Sequence, residues 1–184
     1  MSDLRAIQLD QLVEKVFEIL VKPRIEALKI IARISWLLET NFLKLGSPEY
    51  TEEVMKRTNS DEKYLNLSKG QNEIYTLVLE AEPEKGVAET LTLCYRVDDG
   101  RLAEFYPAER EATFKMSAPY GIWVDILRGV LGANKALMTR KLKVKGNFMK
   151  LLKYSESVLR WVDILRTIPT EFEGQYAQFN IKGA

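Results

Sequence analysis

The spacing of hydrophobic positions changes four times along this chain. Leu9, Leu12, Val13, Val16, Phe17 and Leu20 recur at intervals of three and four and predict an amphipathic helix ending near Pro23. A second helix is predicted from Pro23 to about Leu45. Leu28, Ile31, Ser35, Leu38, Phe42 and Leu45 form its stripe, Ile30, Ile34 and Leu37 widen it, and Gly46 caps it. Ser47-Pro48-Glu49 reads as a fresh start, with a capping hydroxyl, a proline in the first turn and Glu49, Glu52 and Glu53 favoured by the positive helix end. The polar run Thr58 to Asn72 follows and predicts a division into an N-terminal helical segment, residues 1–58, packed on a second part, residues 59–184.

Period two then takes over. Tyr75, Leu77, Leu79 and Ala81 share one face of a predicted strand, and Leu91, Leu93, Tyr95 and Val97 share that of the next. Asp98-Asp99-Gly100 is a hairpin turn into a strand from Leu102 to Tyr106, and Ala112, Phe114 and Met116 mark a fourth strand. Short turns between these strands predict an antiparallel meander with one apolar face. Helical spacing returns in Trp123, Ile126, Leu127, Val130 and Leu131, giving a cover for that face from Tyr120 to Leu131. Arg140 to Lys145 alternates again, with Leu142 and Val144 inward and Lys141, Lys143 and Lys145 outward. Three lysines on a short strand suit a sheet edge, where charge discourages edge-to-edge pairing. A last helix, from Phe148 through Leu151, Leu152, Val158, Leu159 and Val162 to Leu165, closes before Pro169. The fold class expected is α+β: a five-stranded antiparallel sheet with helices on one face and an N-terminal helical extension.

Composition narrows the chemistry. The 184 residues are 46% apolar with a net charge of +1, enough to bury a core without metal or disulfide staples. The chain has no histidine and one cysteine, Cys94, which removes His-based acid/base catalysis, Ser-His and Cys-His nucleophiles and the usual zinc sites. A lone cysteine also fits a reducing cytoplasm. Glu52/Glu53, Asp98/Asp99 and Glu109/Glu111 lie at turns or helix starts and read as solvated charge, and no glycine loop cradles a phosphate. No catalysis and no cofactor is expected. Residues 1–20 intersperse Asp3, Arg5, Asp10, Glu14, Lys15 and Glu18 with apolar positions, unlike a secretory signal, and Ile25 to Leu45 carries too many charges for a membrane span. A cytoplasmic protein is expected.

Charge is uneven within this balance. Between Asp125 and Glu156 no acidic residue occurs, while Arg128, Lys135, Arg140, Lys141, Lys143, Lys145, Lys150 and Lys153 all fall there. These lysines read first as solubilising edge residues and second as contacts for anionic head groups or an anionic membrane surface. Nucleic acid is not expected, because no groove-reading motif accompanies the charge.

Trp123-Val124-Asp125-Ile126-Leu127-Arg128-Gly129, followed by Ala136-Leu137-Met138-Thr139-Arg140-Lys141-Leu142-Lys143-Val144-Lys145-Gly146-Asn147, resembles the sterol carrier protein (SCP-2 sterol transfer) family, with the likeness covering roughly residues 73–168. Arg140 stands where that family often has glycine. The resemblance implies an apolar tunnel between sheet and helices for a fatty acid, acyl-CoA or sterol-like lipid. It makes Leu93, Phe114, Met116, Trp123, Ile126, Leu127, Leu131, Met138, Phe148, Leu151 and Leu152 the expected lipid contacts and Lys141, Lys143 and Lys145 the expected head-group or membrane contacts. Met1 to Arg57 has no counterpart in the minimal family domain. Its apolar helices suit packing over the tunnel mouth, occupying it or making a homodimer, and the competing reading is a non-enzymatic accessory protein with a filled core that binds a partner or itself.

Overall fold

The computed structural model describes residues 22–25 and 42–183. The chain divides into two compact units, Met1–Asn41 and Phe42–Ala184. In the first, residues 22–25 are helical, as Pro23 at a helix start implies. The remaining stripes of both N-terminal helices, and the dimer expected through them, lie outside the described residues.

In the second unit the predicted helix does not reach Leu45. Leu43–Lys44 form a short strand, β1, parallel to β7, Thr170–Glu171. A pairing of two residues is too short to leave a periodic signal. Ser47 then caps α1, Pro48–Ser60, by accepting from the Tyr50 amide at 3.2 Å. The polar run that follows holds α2, Glu62–Ser68, capped by Asp61 accepting from the Tyr64 amide at 2.7 Å. Helix thus continues through residue 58.

Six further elements complete the sheet and its first cover: β2, Glu73–Glu80; β3, Leu91–Asp98; β4, Arg101–Pro107; β5, Phe114–Pro119; β6, Lys143–Lys145; and α3, Tyr120–Leu127. The sheet order is β4-β3-β2-β5-β6. The expectation of a wholly antiparallel sheet needs one correction: β2, β3 and β4 form a meander, but β5 lies parallel to β2, so the sheet is mixed. The segment between Pro107 and Phe114 crosses the face opposite the helices, where Thr76 Oγ1 donates to the Arg110 carbonyl and Thr113 Oγ1 accepts from the Ile74 amide. Three strand spacings are about 14 Å, which six extended residues span.

The inner face is a set of cross-strand rows. Phe105, Tyr95, Tyr75 and Phe114 stand in register, with ring centroids 4.5 Å apart for Tyr75–Tyr95 and 5.1 Å for Tyr75–Phe114. The next row is Leu93, Leu77, Met116 and Val144. Over these rows lie α3 and α6, Ser155–Leu165, with α4, Ala133–Met138, and α5, Phe148–Lys153, above the β5–β6 edge.

Three boundaries differ from expectation for local reasons. The helix from Tyr120 stops at Leu127 because Gly129 adopts φ 77, which leaves Val130 exposed while Leu131 folds back into the core. The edge strand shrinks to Lys143–Lys145, preceded by Arg140 at φ 58. The closing helix breaks at Tyr154, within the polar gap between Leu152 and Val158. No helix among the described residues is long and apolar enough to cross a membrane.

Candidate functional site

The row Leu93–Leu77–Met116–Val144 positions the site, because two apolar cavities sit side by side over it. The first, of about 40 Å³, is lined from below by Leu77, Leu79, Leu93 and Phe105 and from above by Trp123, Ile126 and Leu127 of α3 and Trp161, Val162 and Leu165 of α6, with Leu45 and Tyr50 at its end. The second, of about 50 Å³, is lined by Met116, Ala133, Asn134, Leu137, Leu142, Val144, Leu151, Leu152, Ser155 and Val158. The partition is thin. Leu77 of the first cavity is the register partner of Met116 of the second, and Val162 and Val158 lie one turn apart on α6.

Expected contacts divide between these places. Leu93, Trp123, Ile126 and Leu127 line the first cavity, and Met116, Leu151 and Leu152 the second. Phe114 is fully buried in the aromatic row and Leu131 is buried, and neither lines a cavity. Met138 and Phe148 point outward, 85% and 50% exposed. Lys141, Lys143 and Lys145 are exposed and make no ion pair among the described residues. Leu77, Phe105, Trp161 and Val162 were not among the expected lipid contacts: Leu77 lies in a predicted period-two row, Val162 on the stripe of the last helix and Phe105 inside the strand from Leu102 to Tyr106, while Trp161 belongs to no predicted stripe. Trp161 is the most informative of these. Its indole N–H is buried without an acceptor, in a wall otherwise made of hydrocarbon and rings.

Lys150 of α5 reaches the buried Glu73 carboxylate at 2.5 Å, and Glu73 Oε2 has no hydrogen-bond partner. Other ion pairs join Glu53 with Arg57 at 2.7 Å, Glu109 with Lys115 at 2.7 Å, and Arg96 with both Asp98 and Glu104. Those partners hold the Glu53, Glu104 and Glu109 carboxyls below their ordinary range, chiefly through hydrogen bonds from Arg57, Arg96 and Lys115. Cys94 is buried and burial pushes its thiol up, away from thiolate chemistry. Among the described residues no group of His, Cys, Asp and Glu could hold a metal ion. A larger hollow of about 520 Å³ is an open groove of mixed character, lined by Lys44, Glu89 and Glu173 beside Leu45, Ala88 and Leu91 among others.

Known proteins share this fold. The model of the SCP-2 sterol transfer family matches residues 52–158, more than half of the chain. A crystal structure of sterol carrier protein 2 superposes with a TM-score of 0.63 at 21% identity, over 67% of this chain and 98% of that one. The solution structure of a conserved hypothetical protein from Thermus thermophilus, described as possibly a sterol carrier protein, gives 0.60 at 21% identity, over 66% and 87%. Both share the fold. No curated protein matches in a sequence search.

Proposed function

The chain belongs to the SCP-2 sterol transfer family, and from that premise we propose that it binds one hydrophobic lipid, a fatty acid, acyl-CoA or sterol-like molecule, between sheet and helices and carries it inside the cell without a covalent step. The carrying observation is the pair of apolar cavities over one row of the sheet, separated by the Leu77–Met116 contact and one turn of α6. Outward movement of α5 and rotation of Met116, an unbranched and adaptable side chain, would join them into one apolar channel. The lipid tail leaves water at a gain of about 0.8 kcal/mol per CH₂, so a long chain has ample driving force after ordering costs. Its polar end stays at the open side, within reach of Lys141, Lys143 and Lys145.

Cavity size favours a second reading. At about 40 and 50 Å³ neither cavity admits an acyl chain as it stands, which is what a filled accessory scaffold presents. Organic extraction of the purified protein, mass spectrometry of the extract and displacement of a fluorescent fatty acid separate the two. Co-purifying lipid with saturable, competed probe binding supports the carrier. A lipid-free protein that binds no probe supports the scaffold and removes the carrier.

A further inference from the structure

Three buried side-chain polar atoms among the described residues have no hydrogen-bond partner: Thr58 Oγ1, Glu73 Oε2 and Trp161 Nε1. Of these residues only Trp161 belongs to the wall of an apolar cavity, the first of the two above. Trp161 is 5% exposed, and an unmet N–H at that depth forfeits the hydrogen bond it makes to water in the unfolded chain. The ring has little freedom to seek an acceptor. Its centroid lies 4.5 Å from that of Tyr95 and 5.9 Å from that of Phe105, so the indole is held between α6 and the aromatic row of the sheet. Any acceptor has to come to the N–H.

The cavity's other polar side chains are already engaged. Trp123 gives its N–H to the Val78 carbonyl at 3.0 Å, and the Tyr50 hydroxyl lies against Thr170. A water molecule suits the vacancy poorly, because a buried water holds about three hydrogen bonds and this wall of aliphatic chains and rings offers it one free donor. Among lipid groups the choice is equally narrow. A carboxylate would surrender its hydration for a single donor in hydrocarbon. A hydroxyl would accept from Trp161 but bring a proton for which the wall has no free side-chain acceptor. A ketone or ester carbonyl accepts and donates nothing, which matches one fixed N–H. The lysine edge lies beside the second cavity, where Val144 stands between Lys143 and Lys145, so a tail entering there brings its far part to the first cavity.

We propose that Trp161 is a specificity-determining residue, selecting lipids that carry a neutral carbonyl on the part of the tail lying in the first cavity. The inference rests on the carrier reading and adds the class of lipid carried. The test is displacement of a fluorescent fatty acid by stearate and by a set of oxostearates with the ketone at successive positions. The expected result is one ketone position that displaces the probe about tenfold better than stearate, the worth of one hydrogen bond regained on burial, with the remaining positions no better than stearate. Trp161→Phe keeps a ring and removes the donor, and should abolish that preference while stearate still binds. A second readout needs no substitution: in isotope-labelled parent protein the Trp161 indole N–H resonance, assigned through its contacts with the Tyr95 and Phe105 rings, should move downfield with the preferred oxostearate and not with stearate. Equal displacement by stearate and every oxostearate, a preference that survives in Trp161→Phe, or an indole resonance that stays in place would each overturn the proposal and leave the carrier reading standing. Absence of any probe binding would remove the carrier reading and the role of Trp161 together.

Discussion

Asp99 and Gly100 both hold positive φ, 43 and 83, which makes the β3–β4 connection the tight turn that right-twisted hairpins favour. That turn was legible, since Asp-Gly between alternating runs is a strong local signal. What the sequence did not disclose is why glycine is needed twice over: a Cβ at Gly100 would stand 2.6 Å from the Ser68 carbonyl oxygen. Gly100→Ala therefore combines backbone strain with a clash against α2. It is expected to cost about 2–3 kcal/mol in urea unfolding, at the upper end for a strained left-handed position. Arg140 is the converse, a bulky residue at φ 58 in a position nothing about arginine marks. Relief of left-handed strain less the extra freedom of unfolded glycine leaves Arg140→Gly more stable by up to about 1 kcal/mol. A lowered denaturation midpoint would show that this turn is not strained.

Individual elements are fastened by a few polar side chains that periodicity cannot reveal. Asp61 caps α2 and receives both Arg160 Nε at 3.0 Å and Arg160 Nη2 at 2.5 Å from α6, so one carboxylate joins two helices distant in sequence. Chiefly through the Arg160 hydrogen bonds, and against the opposing effect of burial, its pKa lies below the ordinary carboxyl value. A depressed folded pKa means that the contribution is present above the unfolded value of about 3.9 and is lost as pH falls through the folded one. Asp61→Ala is expected to cost about 1–2 kcal/mol at neutral pH from the cap and its ion pair. Between pH 5 and pH 3, Asp61→Asn should lose stability less steeply than the parent, and parallel curves would refute this account. Lys150 makes a similar tie between α5 and the start of β2, and the uncompensated Glu73 carboxylate left by Lys150→Ala should cost about 1–3 kcal/mol. Most of that loss should return in Lys150→Ala/Glu73→Gln, measured as a double-mutant cycle.

At the scale of the molecule, the question is whether the interior opens. Leu127 is buried against the first cavity and Leu152 stands half exposed at the second. Leu152→Trp is expected to keep stability within about 0.5 kcal/mol, as surface changes do, while weakening fluorescent fatty-acid binding. Leu127→Trp overpacks a core position and should cost about 1–3 kcal/mol whether or not a lipid binds. A Leu152→Trp protein that binds the probe as tightly as its parent would place the ligand elsewhere.

Taken alone, the sequence determined which residues share a face of their strand and where the chain turns. Period two, period 3.6 and turn chemistry are local properties, and the alternation that puts Tyr75 and Leu77, Leu93 and Tyr95, and Phe114 and Met116 each on one face of its strand follows from them. Tertiary structure decided the rest. Strand order depends on where a crossing segment fits, so β5 came to lie parallel to β2. Which apolar residues enclose a cavity, fill the core or remain outside depends on how α3 to α6 lie over the sheet. Phe114 was buried in its ring stack, Met138 and Phe148 were left at the surface, and Trp161, outside the stripe read from the sequence, was drawn into the wall of the first cavity.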